Sequence, residues 1–507
     1  YNGVATQSLR FDNVRDSKLT RTPSSSGNQK KWTSSFWVKR SKLGTTQYLW
    51  SGGSYDGNNG IAAIYFANDD KIHTYFDTSG ANPVGAVNAR LYRDISTWYH
   101  IVWAVDAANT VQKIWVNGVE ETLASGNNPP NYDYGMNRSG TNQAFGVAAW
   151  GGSNNLDGYL AEIVHLDNQY LDETSFGEFK NGVWIAKDTS DLTFGTNGFI
   201  LKLDQVGVGT ASTSTIGADT SGNTNHFTSS GIVASDCSMI DSPENNFATG
   251  LGGLSESTND QSYIAATWSE GNLKMTPSSA AWNNGMSNFG MTSGKWYAEA
   301  KVVNIGPNGG YTRFGMRASP TRTYDEYMWA ANGNGQIDAA TSPYSDRVGT
   351  YANGNVLQIA LDLENNALYF GKNGTWENSA TTSEIAAGTV TNAFASGTTL
   401  IPTGDGFTYF FYFNMHGHGT APIHIWNFGQ DPSFAGEITA GTETPSEGAG
   451  VFLYAPPDGF LACCTANLPE PTIGPNSATQ ADDYFNTVLY TGNATARSIT
   501  GVGFQPD

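Results

Sequence analysis

Charge is scarce in this chain. Only 14% of its 507 residues are Asp, Glu, Lys or Arg, where an average globular protein carries about 25%. Basic residues are scarcer still, 26 against 46 acidic ones, for a formal net charge of −20. Nucleic-acid binding depends on Lys and Arg neutralising phosphates, so that partner is excluded, and an anionic membrane surface is disfavoured on the same ground. No apolar run is long enough to span a bilayer, which argues against membrane insertion. Residues 1–10 lack the charged-then-apolar pattern of a signal peptide. The absent starting Met points to processing or to a longer polypeptide. Cysteine is almost missing too. Cys237, Cys463 and Cys464 are odd in number and two are adjacent, which is no disulfide framework. Adjacent Cα atoms sit only about 3.8 Å apart, too close for an ordinary bridge. Three reduced thiols fit assembly in a reducing cytoplasm.

Helix signals are equally sparse. The best is residues 171–180, where Asp172 or Thr174 can cap and Phe176 and Phe179 share a side. What the chain does have is glycine (59 residues), aromatics (12%) and many Asn, Ser and Thr. These favour turns and solvated strand faces, so an all-β fold is expected. In 34–38, Ser34, Phe36 and Val38 fall on one strand face. Residues 99–105 and 112–116 form two β-rich runs around Asn109, ending at the hairpin signal Asn117-Gly118. Residues 356–363 and 367–370 repeat the design around Asn365-Asn366 and end at Asn373-Gly374. The two stretches align without gaps. Asp106 falls on Asp362 and Asn117 on Asn373, each 256 residues on (362 − 106; 373 − 117). One kind of hairpin is therefore expected in each of two sandwiches.

Composition sets the boundaries. Residues 1–203 form one strand-rich block. Residues 204–262, rich in Gly, Ser and Thr, read as a connection. Residues 263–455 form a second β block, and 456–507 a Pro-rich linker with the start of an incomplete further β domain. The first block resembles laminin-G-like, concanavalin-type domains. The resemblance rests on Ser8-Leu9-Arg10-Phe11-Asp12, Phe36-Trp37-Val38-Lys39, Trp98-Tyr99-His100-Ile101-Val102, Ile114-Trp115-Val116-Asn117-Gly118 and Asp157-Gly158-Tyr159-Leu160-Ala161-Glu162-Ile163. The second resembles a SPRY domain through Gly294-Lys295-Trp296-Tyr297-Ala298-Glu299, Arg313-Phe314-Gly315-Met316, Ile359-Ala360-Leu361-Asp362-Leu363, Leu368-Tyr369-Phe370-Gly371-Lys372-Asn373-Gly374 and Asn427-Phe428-Gly429-Gln430. Both imply tandem concanavalin-like antiparallel β-sandwiches. In tandem they also resemble tail-fibre and virion-surface proteins of marine bacteriophages. Three further pieces carry this: Ala455-Pro456-Pro457-Asp458-Gly459-Phe460 with Asn467-Leu468-Pro469, Thr487-Val488-Leu489-Tyr490-Thr491-Gly492-Asn493, and Ser498-Ile499-Thr500-Gly501-Val502-Gly503-Phe504. That resemblance implies a non-enzymatic adhesin at the virion surface, assembled in the host cytoplasm. Its partners would be host-surface glycan or protein and other virion proteins, and it would be a homo-oligomer, as a trimer. A decoration protein of the virion is the alternative, and a glycan-degrading enzyme the second.

Glycoside hydrolysis needs two carboxylates flanking one bond. Glu162 and Asp167, five residues apart, fall on opposite faces of a regular strand, and the adjacent Asp325 and Glu326 also point apart, so no catalytic pair is expected. Sugar recognition needs exposed aromatic rings with polar neighbours. Tyr132, Tyr134, Tyr311, Tyr324, Tyr327 and Trp329 lie in turn-rich segments and are the candidates. Trp37, Trp103 and Trp296 lie in strand patterns and are assigned to cores. His416 and His418 share a strand face, and three such pairs around a trimer axis suit a divalent transition metal, with His424 downstream. Calcium would draw on Asp56, Asn58, Asp69 and Asp70, though Asx turns account for these as well. No cofactor is otherwise expected.

Overall fold

The matched turns are matched in atomic detail. The computed structural model describes residues 2–54, 60–78, 83–252, 257–258, 261–262, 264–306, 312–319, 326–337, 345–404, 406–417 and 421–469. In the first hairpin, strands Tyr99–Asp106 and Val111–Val116 pair with Asp106 opposite Val111. In the second, Val356–Asp362 and Ala367–Lys372 pair with Asp362 opposite Ala367, the same register 256 residues on. Asp106 accepts from Asn109 N at 3.3 Å and Nδ2 at 2.9 Å. Asp362 accepts from Asn365 N and Nδ2, both at 2.9 Å. Asn117 Oδ1 receives His100 N at 2.7 Å, and Asn373 Oδ1 receives Val356 N at 2.9 Å. The correspondence extends one strand further. Lys31 lies opposite Asp106 and Lys295 opposite Asp362, each followed by a buried Trp, Trp32 and Trp296. Removing the capping carboxylate leaves turn N–H groups without acceptors. Asp106→Ala and Asp362→Ala are each expected to cost about 1 kcal/mol, to within about 0.5 kcal/mol of one another, by urea denaturation.

These hairpins belong to two tandem β-sandwiches. In the first, one sheet runs Leu9–Phe11, Gly158–Asp167, Lys31–Arg40, Tyr99–Asp106, Val111–Val116, Val119–Glu120, with Phe199–Leu201 also on Gly158–Asp167. The facing sheet runs Leu123–Gly126, Ala86–Asn88, Ile72–Asp77, Ile61–Phe66, Gln47–Gly52, Gln143–Phe145, Lys18–Arg21, Thr228–Ser230. Phe36, Trp103, Ile64, Phe76 and Trp50 fill the space between them. Gly158–Asp167 is buried at all ten positions, because Trp115, Phe176 and Ile200 cover part of its outer side. The second sandwich packs Phe314, Phe370, Phe411, Phe413 and Trp426 between two further sheets. Trp103 and Trp296 lie in these main cores, and Trp37 in a smaller buried cluster with Trp98 and Tyr159.

One segment differs from expectation. The helix expected over 171–180 is a single 3-10 turn, Glu173–Ser175, followed by a strand, Gly177–Lys180, paired with Val183–Ala186. Asn181 and Gly182 take φ of 52° and 77° between them, the left-handed pair that a tight hairpin demands. Phe176 goes inward and Phe179 outward, so the two do not share a side. The one α-helix among the described residues, Thr382–Ala386, is closed by a capping box of Thr381 and Glu384. The connecting residues 204–252 pack against their neighbours. Thr228–Ser230 joins the facing sheet of the first sandwich, and Ile216, Phe227 and Cys237 enter its core. Phe460, Ala462 and Cys464 are buried with Tyr297 of the second. The expected strand near Val488 lies outside the described residues.

A buried ion-pair network joins the two halves. Arg10, fully buried, reaches Asp236 at 3.0 Å and Asp431 at 2.8 Å. Arg15 reaches Asp236 at 2.9 Å and Glu270 at 2.6 Å. Tyr159 donates to Gly271 O at 3.0 Å nearby.

Candidate functional site

Three adjacent strands of the first sandwich turn aromatic rings outward. In Ile72–Asp77, Ile72 and Phe76 point into the core, and the alternate residues His73 and Tyr75 point out, half-buried. Ile61–Phe66 sends Ile64 and Phe66 inward and Tyr65 outward. In Gln47–Gly52 the register slips between Tyr48 and Trp50. That bulge lets Leu49 and Trp50 both enter the core while Tyr48 faces out. Register then aligns the outward residues, Tyr48 opposite Tyr65 and Tyr65 opposite His73. Tyr48 and Tyr65 stack at 4.8 Å. Tyr75 lies opposite the small Ala63.

Trp150 arrives from the loop before Gly158. Ala149 N donates to Ser51 Oγ at 2.9 Å and Asn142 Nδ2 to Ala149 O at 2.8 Å, and these bonds hold the loop on the sheet. The indole meets Tyr48 edge-on at 5.3 Å and lies parallel to Tyr75 at 5.8 Å. None of Tyr48, Tyr65, Tyr75 or Trp150 belongs to a buried core. Polar groups edge the platform. His73 Nε2 is 3.1 Å from Asp69 Oδ1, and Tyr75 donates to Asp77 Oδ2 at 3.2 Å. Partial burial would raise the Asp69 carboxyl, but the Lys71 N–H, His73 and the Lys71 charge outweigh it and hold it below the usual range. The Asp69 side chain is 43% exposed, so it is an anionic acceptor within reach of solvent. Flat rings beside an ionised carboxylate and an imidazole can stack on the apolar face of a sugar and bond its hydroxyls.

The residues expected from sequence fare differently. Tyr134 is fully buried behind this sheet, edge-on to Phe76 at 5.2 Å and to Trp32 at 6.1 Å. Tyr132 is half-buried against it at 6.0 Å. Tyr327 and Trp329 lie in Glu326–Ala330, a strand buried at all five positions. Tyr327 donates to Leu400 O, and Trp329 to Gly349 O at 2.7 Å. Tyr134, Tyr327 and Trp329 are therefore core residues, Tyr134 in the first sandwich and the other two in the second. Tyr311 and Tyr324 lie outside the described residues. Sequence reading overlooked Tyr48, Tyr65, Tyr75 and Trp150, although the alternation Ile72-His73-Thr74-Tyr75-Phe76 carried the signal.

His416 is half-buried, edge-on to Trp282 at 5.3 Å, and His418 lies outside the described residues. His424 is fully buried, and burial pushes it down to about 4. Asp56 and Asn58 lie outside the described residues. Asp70 takes bonds from Gly44 N at 2.7 Å, Arg40 at 3.1 Å and Arg93 at 3.0 Å. No group of three His, Cys, Asp or Glu able to hold a metal occurs among the described residues. Glu162 faces Lys202 at 3.6 Å, whereas Asp167 accepts from Asn28 N at 2.7 Å and Asn197 N at 3.0 Å. The two carboxyls thus serve separate neighbours.

A second aromatic surface is a groove of about 460 Å³ beside the Gly177–Lys180 hairpin, lined by Trp37, Trp98, Phe179 and Trp184. Trp184 donates to His100 Nδ1 at 2.9 Å, and burial pushes His100 down to about 3, so the ring stays neutral and can accept.

The family model of the concanavalin A-like lectin/glucanases superfamily matches residues 15–169, the segment that carries the platform. No curated protein sequence matches the chain. It is similar to a native heptameric SAP-like pentraxin from Limulus polyphemus, 13% identical over 34% of this chain and 80% of that one, TM-score 0.27. The SPRY domain of human HERC1 is 18% identical over 33% of this chain and 92% of that one, TM-score 0.23. The CBM40 of a Ruminococcus gnavus IT-sialidase is 14% identical over 31% and 95%, TM-score 0.24. Over residues 15–169 the first sandwich thus has a concanavalin-like, laminin-G-type fold.

Proposed function

We propose that this chain is a non-enzymatic adhesin whose first sandwich binds glycan on the platform of Tyr48, Tyr65, Tyr75 and Trp150. The carrying observation is a set of stacked aromatics, none of them in a core, with His73, Asp69 and Asp77 at their edge. The match of residues 15–169 to a lectin and glucanase superfamily supports it. The separate neighbours of Glu162 and Asp167 favour binding over hydrolysis. With the phage-like pieces of the sequence, the role is host recognition at a virion surface. The protein would act there as a homo-oligomer, a trimer, beside other virion proteins.

The test is binding of the recombinant chain to host cells before and after their polysaccharide is stripped. Trp150→Ala is expected to weaken binding about 5- to 30-fold, since one stacked ring at a binding centre contributes about 1–2 kcal/mol. Undiminished binding by that variant would remove the platform from the reading. A virion decoration role has one feature in its favour. Phe179 and Val183, each 57% exposed on one hairpin, suit contact with another protein.

A further inference from the structure

Between the sandwiches lies a cleft of about 500 Å³, walled on one side by Asn13, Lys42, Leu43 and Asp157, and on the other by Trp268 and Asn272. Asp157 is only 4% exposed. Its backbone is held in place, with N donating to Gln47 Oε1 at 3.0 Å and O accepting from Ser41 N at 3.0 Å. Its Oδ1 has no hydrogen-bond partner. A buried carboxylate without a donor is costly, and its presence at a cleft wall is an unmet demand for one. Burial pushes this carboxyl up to about 7, with Asp12 and Glu270 adding to the effect and Lys42 opposing it.

The facing wall is equally built. Trp268 lies over Gly250 and Gly285, where an added Cβ would come within 2.2 Å and 2.5 Å of the indole. Only glycine admits the ring there, and Phe413 fixes it edge-on at 5.7 Å. The electrostatics favour one sign. Asp12, Asp157, Asp236, Glu270 and Asp431 face the cations Arg10, Arg15 and Lys42, and both arginines are already bound to carboxylates.

We propose that this cleft binds a primary ammonium group, with Asp157 as its counter-ion and the Trp268 indole against its carbon chain. A divalent metal fits poorly, because calcium takes six to eight oxygens and among the described residues Asp157 is the one carboxylate lining the cleft. An ammonium is satisfied by one carboxylate, nearby acceptors and an aromatic wall. The site lies apart from the aromatic platform and does not depend on the glycan reading.

The test is calorimetric titration of the full chain with butylamine, using butanol as the uncharged control. Butylamine is expected to bind and butanol at least tenfold more weakly. Asp157→Asn should weaken butylamine at least tenfold. Lys42→Ala, at an exposed position that leaves the fold intact, should tighten it severalfold. Affinity should rise from pH 6 to pH 8 as Asp157 ionises beside Asp12, Glu270, Arg15 and Lys42. Trp150→Ala should leave it unchanged. Equal binding of butanol, or indifference to both Asp157→Asn and Lys42→Ala, overturns the proposal.

Discussion

Arg10→Ala lowers the unfolding free energy by about 3–5 kcal/mol, the cost of breaking a buried ion pair from one side. Burial by itself would depress this guanidinium, but Asp431 and Asp236 outweigh it and hold the charge firmly in place. Without Arg10, Asp236 and Asp431 stay buried with Arg15 as the remaining cation of the cluster, and Arg15 does not bond to Asp431, which keeps the neutral donors Ser433 and Ala435. The second substitution Asp431→Asn should restore part of the loss, since it removes the stranded charge. Calorimetry is the measurement. An Arg10→Ala melting temperature equal to that of the parent would mean that the network contributes nothing to the union of the halves.

Glu162→Gln is expected to stabilise the protein at pH 8, by about 2–4 kcal/mol. Glu162 sits at a bulge with φ +39°. Burial pushes its carboxyl up to about 7 against the pull of Lys202. The native state therefore keeps a proton that the unfolded chain releases above about pH 4.5. That contribution to stability shrinks as pH rises to 7 and stays low beyond. Burial pushes Asp157 and Glu299 to about 7 as well. Opposing them, burial pushes His100 and His165 down to about 3 and His424 to about 4. These rings refuse protons that the unfolded chain takes below about pH 6.5, so their contribution falls as pH drops. Three groups on each side cancel, and the parent should be nearly flat from pH 4.5 to 6.5. Below that window the carboxyls fall silent and the histidines drive acid unfolding. Glu162→Gln unbalances the set, and its stability should climb by about 1.4 kcal/mol per pH unit across the window. Urea titrations at pH 5, 6 and 8 test this, and a variant less stable than the parent at pH 8 sinks it.

Legibility from sequence followed distance along the chain. Hairpins are local, so the turns Asn117-Gly118 and Asn373-Gly374 were readable; they bring Val119 opposite Val116 and Thr375 opposite Lys372. Asn181-Gly182 spoke as clearly, but Phe176 and Phe179 at helical spacing competed with it. The platform was harder to read. Lys31–Arg40 and Gly158–Asp167 show almost no alternation in burial, since both their faces are covered. Ile72–Asp77 does alternate at its start, and its outward His73 and Tyr75 were visible as a pattern. Nothing local told which face of Glu326–Ala330 would be covered, so Tyr327 and Trp329 read as exposed loop residues. Asp157 is unusual only because Trp268 stands across from it, 111 residues on (268 − 157).

The bond from Arg10 to Asp431 spans 421 residues. A ribosome adding about 5–20 residues per second needs roughly 20–80 s to cover that distance. Through that interval the second residue of strand Leu9–Phe11 waits for the Asp431 half of its counter-charge. Met239, which bonds Ser8, and Asp236 arrive about halfway. The first sandwich can thus close its sheets early but is sealed late, when the far end of the second emerges. Nascent chains halted before Asp431 should therefore resist protease less than chains halted after Cys464.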